Sequence, residues 1–315
     1  VQVEQELGGF LPDRDSVITV GVFDGVHLGH KYLISRLKEF ASQQDLCSII
    51  ITFDKHPQET LSPQAQPPFL TDSAEKAELL KKEGVDAVIV LTFTLELSRL
   101  SARQFISLLQ TKLKMKGLVI GPDFAMGRNG EGNIPTLRRL GSEMGFSITV
   151  IPAIKNNGDV ISSTAIRRAL ADGDMEKVQR FMGRPFSLHG RVIHGKGRGA
   201  GLGYPTVNLD IAPGQAIPSD GVYASLALVD NQTYPSVSNI GTNPTFGDSE
   251  RTVESYLLDY HNNLYEHIVK IDFIHKLRNE LAFANADGLV RQIAQDIQQA
   301  RQVLKAEVIK VKVSK

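Results

Sequence analysis

Apolar positions along this chain follow two rhythms, and the change falls near residue 185. From Ser16 to about Arg180, short unbroken apolar runs at 16–22, 46–53, 86–93, 117–121 and 147–152 alternate with segments at 31–40, 72–83, 101–114 and 134–144 whose apolar residues recur at helical spacing. A run that is apolar throughout and rich in β-branched residues is a strand buried on both faces. Strands alternating with helices form a parallel sheet covered by helices, with ligand sites beyond the carboxyl ends of the strands. After Phe181–Pro185 the strands come closer together, at 189–194, 205–209, 221–229, 234–240, 253–259 and 267–273, parted by glycine and proline turns. That texture predicts a small antiparallel barrel. Leu289, Ile293, Ile297, Ala300, Val303 and Leu304 then repeat at helical spacing, a C-terminal helix to pack on the barrel. The predicted fold class is α/β plus β: a parallel-sheet domain over 1–184 and an antiparallel β-barrel with a C-terminal helix over 185–315. Pro57–Pro68 reads as a proline-rich loop.

Composition adds limits. At 315 residues with 42% hydrophobic content, the chain has room for two ordinary domains with sizeable cores. Lys+Arg and Asp+Glu are both 35, so no global basic excess speaks for nucleic acid or an anionic membrane, and any anionic ligand must be met by local clusters. The single Cys47 lies in an apolar run and reads as a buried structural thiol. No apolar run approaches a membrane span and the polar start lacks an export pattern, so a cytoplasmic protein is expected.

The local clusters follow the strands. Ser16–Val20 leads into Gly21-Val22-Phe23-Asp24-Gly25-Val26-His27-Leu28-Gly29-His30-Lys31, which reads as a strand end, a tight turn and a helix start. A helix N-terminus presents unpaired N–H groups and the positive end of the dipole, which suits phosphate and disfavours cations. His27, His30 and Lys31 stand there nonetheless, at an electrostatic cost that a bound phosphate would offset. Ile161 to Arg168 repeats the arrangement with hydroxyl residues and two arginines; taken alone, it reads equally as a capped helix with a solvated arginine pair. The third cluster, Gly190–Asn208, is glycine-rich and basic, but Tyr204-Pro205-Thr206-Val207-Asn208-Leu209 after it reads as a strand, so neither a dinucleotide-binding turn nor a P-loop fits. A flexible loop remains, able to wrap phosphates and to bring Thr206 and Asn208 to a metal; the plainer alternative is a mobile linker.

Gly21–His30 resembles the HxGH signature of nucleotidylyltransferases and, in the longer form G-x-F-D-G-x-H-x-G-H, that of the bacterial bifunctional riboflavin kinase/FMN adenylyltransferase (FAD synthetase) family. The resemblance runs from about Ser16 to Leu304, with motifs of both halves in order. It implies a Rossmann-like nucleotidylyltransferase domain followed by a riboflavin kinase domain. Riboflavin and ATP would give FMN and ADP, and FMN and ATP would then give FAD and pyrophosphate, with Mg2+ in attendance. It further implies that His27 and His30 are catalytic at the α- and β-phosphates, in an ATP site that includes Gly21, Phe23, Asp24 and Gly29. Asp24 is expected near Mg2+ or near His30. Ile161-Ser162-Ser163-Thr164-Ala165-Ile166-Arg167 matches the family's ISSTxIR, implying that Ser163, Thr164 and catalytic Arg167 hold the leaving pyrophosphate. Thr52-Phe53-Asp54-Lys55-His56-Pro57 is similar to TFxPHP, with Lys55 for proline, and Gly121–Gly127 to G-x-[DN]-F-x-F-G, with Ala125 and Met126 for a basic and an aromatic residue. Phe53, His56, Pro57, Asp123 and Phe124 are thereby implied on the flavin side, although a histidine at a strand end is more often structural.

Gly190–Asn208 resembles the riboflavin kinase signature. Carried over, Gly195, Lys196, Gly197, Arg198, Gly201, Thr206 and Asn208 bind ATP, and Thr206 and Asn208 hold Mg2+. Pro218–Ala224 and Asn239–Gly247 resemble two further kinase motifs. Glu254 falls where the family has the glutamate that takes the proton from the riboflavin 5′-hydroxyl, with Tyr256 where a histidine is common. Arg278, Glu280 and Phe283 match R-x-E-x-x-F and are implied at the flavin. The expected partners are riboflavin, FMN, FAD and ATP, with no nucleic acid or membrane, a monomer or weak self-association, and FMN released between steps. Two alternatives stand beside this reading: nucleotidyl transfer to another phosphorylated acceptor, against which the kinase-like half speaks, and a catalytically silent flavin-binding module.

Overall fold

The computed structural model describes residues 2–195, 198–242, 251–283 and 285–313. Contacts divide the chain into two compact units, with the division between Ser163 and Thr164.

In the first unit the order is α1 (Gln2–Gly8), β1 (Ser16–Val20), α2 (Leu28–Gln43), β2 (Cys47–Phe53), α3 (Pro57–Leu61), α4 (Ser73–Lys81), β3 (Ala87–Leu91), α5 (Leu95–Arg99), α6 (Ala102–Leu113), β4 (Met115–Ile120), α7 (Ile134–Met144), β5 (Ser147–Val150) and a short hairpin, β6 (Lys155–Asn156) with β7 (Asp159–Val160). The strands β1 to β5 form one parallel sheet in the order β3-β2-β1-β4-β5. β1 is central and wholly buried, which is why Ser16–Val20 is apolar without alternation. Ile18, Ile49 and Leu118 meet Phe105 and Leu109 of α6 on one face. Val17, Ile50 and Val119 meet Ile34 and Leu37 of α2 and Leu80 of α4 on the other. Strand order reverses at β1, and a crevice opens beyond the carboxyl ends of β1 and β4 at such a point. Cys47 is 2% exposed and burial pushes its thiol pKa up, as befits a structural thiol.

The short helices α1, α3 and α5 were not legible in the apolar pattern. α1 buries Val3 and Leu7, and its Glu6 accepts hydrogen bonds from the N–H and Oγ1 of Thr92. α3 turns the start of the Pro57–Pro68 loop into a helix, because His56 and Glu59 cap it reciprocally.

The second unit holds nearly all of α8 (Ser163–Asp172), then α9 (Met175–Met182), β8 (Phe186–Ile193), α10 (Arg198–Gly201), β9 (Val207–Asp210), β10 (Gly221–Val229), β11 (Gln232–Thr242), β12 (Arg251–Leu257), β13 (Ile268–Arg278) and α11 (Ala286–Val313). The strands close an antiparallel barrel in the order β10-β11-β12-β9-β8-β13. α11 packs on it with Ala300 and Leu304 against Ala224 and Ile274. The buried hydroxyls of Ser225, Ser236, Ser238 and Ser255 bond to one another inside the barrel at 2.6–2.8 Å, which satisfies polar groups that would otherwise be costly there. Between β8 and β9 the glycine loop is not featureless, since it contains the helical turn α10. Lys196, Gly197 and the stretch Asn243–Gly247 lie outside the described residues. Among the described residues no helix is long and apolar enough to cross a membrane.

Candidate active sites

The first unit's candidate site begins where β1 ends. Gly21 N–H still donates to Ile51 O at 3.0 Å, and then the chain turns with positive φ at Phe23 (52°), Gly25 (81°) and Val26 (36°). For a β-branched residue such a φ costs on the order of 1–3 kcal/mol and persists only where neighbours enforce it. The neighbours are distant in sequence. The Asp24 carboxylate accepts from the N–H groups of Leu70 (2.9 and 3.0 Å) and Thr71 (3.1 Å), Gly25 N–H donates to Thr71 Oγ1 (3.1 Å), and Ser163 Oγ donates to Asp24 O (2.9 Å).

α2 starts from this turn with a histidine as its N-cap. His30 N–H donates to His27 Nδ1 at 3.3 Å, which places the proton of a neutral His27 on Nε2. The two imidazoles stack at 3.6 Å and 17°, and a Cβ on the intervening Gly29 would lie 3.0 Å from the His27 ring and 3.1 Å from Ile161 O. His27 is buried, and the buried Nδ1 of His30 has no hydrogen-bond partner among the described residues.

Charge at the turn differs from the surplus that the sequence suggests. Lys31 Nζ pairs with Glu83 Oε1 at 3.0 Å. Desolvation, reinforced by the charges of His27 and Lys76, holds His30 well below the ordinary imidazole range. The turn therefore presents a neutral His30 ring and an already paired Lys31 rather than a cluster of unpaired cations.

The loop after β2 adds a second wall. Gln58 N–H donates to His56 Nδ1 at 3.2 Å, and Pro57 takes the first helical position of α3, where its missing N–H costs nothing. His56 lines a cavity of about 180 Å³ together with Val22, Asp24, Thr71 and Lys76. Phe53, Asp123 and Phe124 do not line it. Phe53 stands edge-to-face on Phe93 with centroids 5.3 Å apart, Phe124 packs on the same core, and Asp123 is exposed. Met126 is 8% exposed and belongs to that core. Thr164 (exposed) and Arg167 (half-buried) follow Ser163 along α8.

In the barrel, antiparallel pairing does what the sequence could not display. Asn208 of β9 lies between Ile193 of β8 and Glu254 of β12 in register, and Thr206 Oγ1 donates to Glu254 Oε2 at 3.3 Å. Gly195 packs so closely on the Asn208 side chain that a Cβ there would collide with it. Thr206, Asn208, Glu254, Arg278, Glu280 and Phe283 all line one cavity of about 420 Å³, whose far wall is Leu289, Ile293, Asp296 and Ile297 of α11. Arg278 donates from Nε (3.0 Å) and Nη2 (2.8 Å) to Asp296, and its guanidinium lies 6.0 Å from the Phe283 ring centroid. The Glu280 carboxyl is pushed up by desolvation and by Asp220, against the Asn239 hydrogen bond and the charges of Arg251 and Arg278. Arg198 opens α10, while Gly201 at its end does not line the cavity. Sequence reasoning missed Thr71, Lys76 and Asp296.

Comparison with known proteins covers both units. The FAD synthetase family model matches residues 11–165 and the riboflavin kinase model residues 182–304. A Listeria monocytogenes protein named bifunctional riboflavin kinase/FMN adenylyltransferase is 36% identical over 291 residues, 92% of each chain. One of the same name from Escherichia coli K12 is 38% identical over 293 residues, 92% of this chain and 93% of its own. The crystal structure of a Streptococcus pneumoniae protein described as a macrolide-efflux protein superposes with a TM-score of 0.84 at 28% identity, over 94% of this chain and 96% of that one.

Proposed function

This chain belongs to the bifunctional riboflavin kinase/FMN adenylyltransferase family and is an enzyme of FMN and FAD formation; we propose that the strained turn of the first unit carries adenylyl transfer and the barrel cavity carries phosphorylation. The observation behind the first assignment is the stacked His27–His30 pair, held at a helix start by a backbone conformation that folding alone would not select.

In adenylyl transfer an FMN phosphate oxygen attacks the α-phosphorus of ATP, the α–β bridging bond breaks, and pyrophosphate leaves. Catalysis of such a transfer is alignment plus charge stabilisation, with no covalent enzyme intermediate required. His27, through Nε2–H, and His30 donate to the α- and β-phosphates, and Gly21, Phe23 and Gly29 let the backbone approach them. Ser163, with Thr164 and Arg167 following it on the helix, holds the departing pyrophosphate. Asp24 holds the turn through Leu70 and Thr71. His56 and Pro57 face the acceptor FMN, where Asp123 is free to join; Phe53 and Phe124 shape that side from the core.

In the barrel, Glu254 receives or orients the proton of the riboflavin 5′-hydroxyl as that oxygen attacks the γ-phosphorus of a second ATP. The Thr206 hydroxyl donates to Glu254, and Asn208 stands opposite Glu254 in register, so a hydroxyl and an amide oxygen are available beside the carboxylate. Two neutral oxygen donors next to a carboxylate fit Mg2+, which when bound would neutralise charge on the ATP phosphates. Gly195, with the glycine loop after it, wraps those phosphates, and Arg278, Glu280 and Phe283 meet the flavin. Both steps are assigned to the cytoplasm and to a chain that needs no macromolecular partner.

Reciprocal variants test the assignment. Incubated with riboflavin, ATP and Mg2+, with the flavins then separated, His27→Ala is expected to lose about two to three powers of ten in FAD formation, the scale of a lost transition-state donor, while FMN formation persists. Thr206→Ala is expected to do the reverse and still adenylylate supplied FMN. Equal loss of both activities in either variant counts against the division.

A further inference from the structure

We infer that Lys76 is a positioning residue for adenylyl transfer, a tethered cation that holds the turn of His27 and His30 in register with the loop of His56. The inference rests on the reading of that turn given above.

Lysine is almost never fully buried unless it is paired. Lys76 is 4% exposed, on the same face of α4 as the core residue Leu80, and its Nζ donates to Phe53 O at 2.7 Å, the last residue of β2. With Asp24, Asp54, Glu59 and Asp72 it lines the 180 Å³ cavity next to His56. Each of those carboxylates already fixes a separate piece of backbone. Asp24 takes the N–H groups of Leu70 and Thr71, Asp54 those of Lys55 (2.8 Å) and Phe93 (2.9 Å), Glu59 that of His56 (3.1 Å), and Asp72 that of Glu75 (2.8 Å). Carboxylates gathered round one small cavity repel, and a single ammonium among them is what lets all the caps persist together. Burial lowers the Lys76 pKa and these same acids oppose the shift, as a cation set among counter-charges requires.

The groups it joins speak for catalysis rather than general cohesion. Asp24 sits inside the turn that presents His27, and Phe53 and Glu59 flank the loop that presents His56. The charge of Lys76 also reaches His30. The ammonium is already bonded to Phe53 O and set among these carboxylates, so it is placed to arrange the walls of the site and not to enter it. A displacement of about 1 Å between reacting groups can cost about a hundredfold in rate.

The test uses the full chain carrying Lys76→Ala. FAD formation from FMN and ATP is expected to fall about a hundredfold, chiefly in kcat, while riboflavin phosphorylation by the same sample is kept. Ethylammonium added to Lys76→Ala is expected to restore part of the lost rate, whereas ethanol, similar in size but neutral, restores none. Unchanged FAD formation overturns the inference, as does a loss repaired by both additives or by neither. If Lys76→Ala does not fold, Lys76→Met decides: native-like thermal unfolding with a reduced kcat supports the positioning role, and either an unfolded variant or an unchanged kcat overturns it. His27→Ala measured in parallel separates the two levels. Full activity there removes the site reading itself, whereas an inactive His27→Ala beside an active Lys76→Ala removes only the role of the lysine.

Discussion

At His30, desolvation first, and then the electrostatic influence of His27 and Lys76, push the imidazole towards its neutral form, so the folded chain resists a proton that the unfolded chain accepts at its ordinary value near 6.5. The sign follows from proton counting. Stability is unaffected above that value, and it falls as pH drops below it towards the depressed folded value, because there the unfolded state binds the extra proton. Urea unfolding of the first unit, compared at about pH 8 and about pH 5.5, is expected to show this loss, and His30→Gln is expected to flatten it by one proton's worth. An unchanged slope in the variant would assign the titration elsewhere. The histidine pair was visible in the sequence, but its charge state was not. Lys31 looked unpaired because Glu83 stands far along the chain, and the burial of His30 depends on Phe23 and the ring of His27 closing over it. The strain at Val26 was equally hidden, since a valine in a turn looks unremarkable until the bonds from Leu70, Thr71 and Ser163 are known.

Among the elements, α4 and α11 share a feature that hydrophobic spacing alone misreads. Lys76 precedes Leu80 by one helical turn, and Asp296 lies between Ile293 and Ala300 on the buried stripe of α11. A charged residue on an apolar stripe is the sequence signal for a buried partner, and here the partners are the carboxylates around Lys76 and the guanidinium of Arg278. The Arg278 side chain is 18% exposed and that of Asp296 4%. Breaking such a pair from one side leaves an uncompensated buried charge, at a cost of about 3–5 kcal/mol. Asp296→Ala is thus expected to lower the urea midpoint of the barrel unit and to raise KM for riboflavin, since it loosens both Arg278 and the α11 wall of the cavity. A wild-type midpoint would show the pair to be of no consequence. The strands of the parallel sheet were legible within a few residues because their runs are unbroken and apolar, and those of the barrel because glycine and proline turns part them. α1, α3, α5 and α10 were not, because helices of four to seven residues owe their existence to caps and docking rather than to periodicity.

For the whole molecule, each unit has its own core and its own candidate cavity, and FMN made in one is expected to leave before it is adenylylated in the other. In a reaction started with labelled riboflavin, excess unlabelled FMN is therefore expected to dilute the label in FAD in proportion to the pool; retention of label would instead show direct transfer. The bond from Ser163 to Asp24 spans 139 positions, and it bears on how the protein is made. Chains emerge from the ribosome N-terminus first, so the residues of the first turn are synthesised early but cannot be latched until the segment after β7 has also been threaded out. A nascent chain arrested before that point could assemble its sheet, yet the turn of His27 and His30 would still be slack, and the FAD-forming competence proposed for that turn would arrive only once Ser163 has emerged.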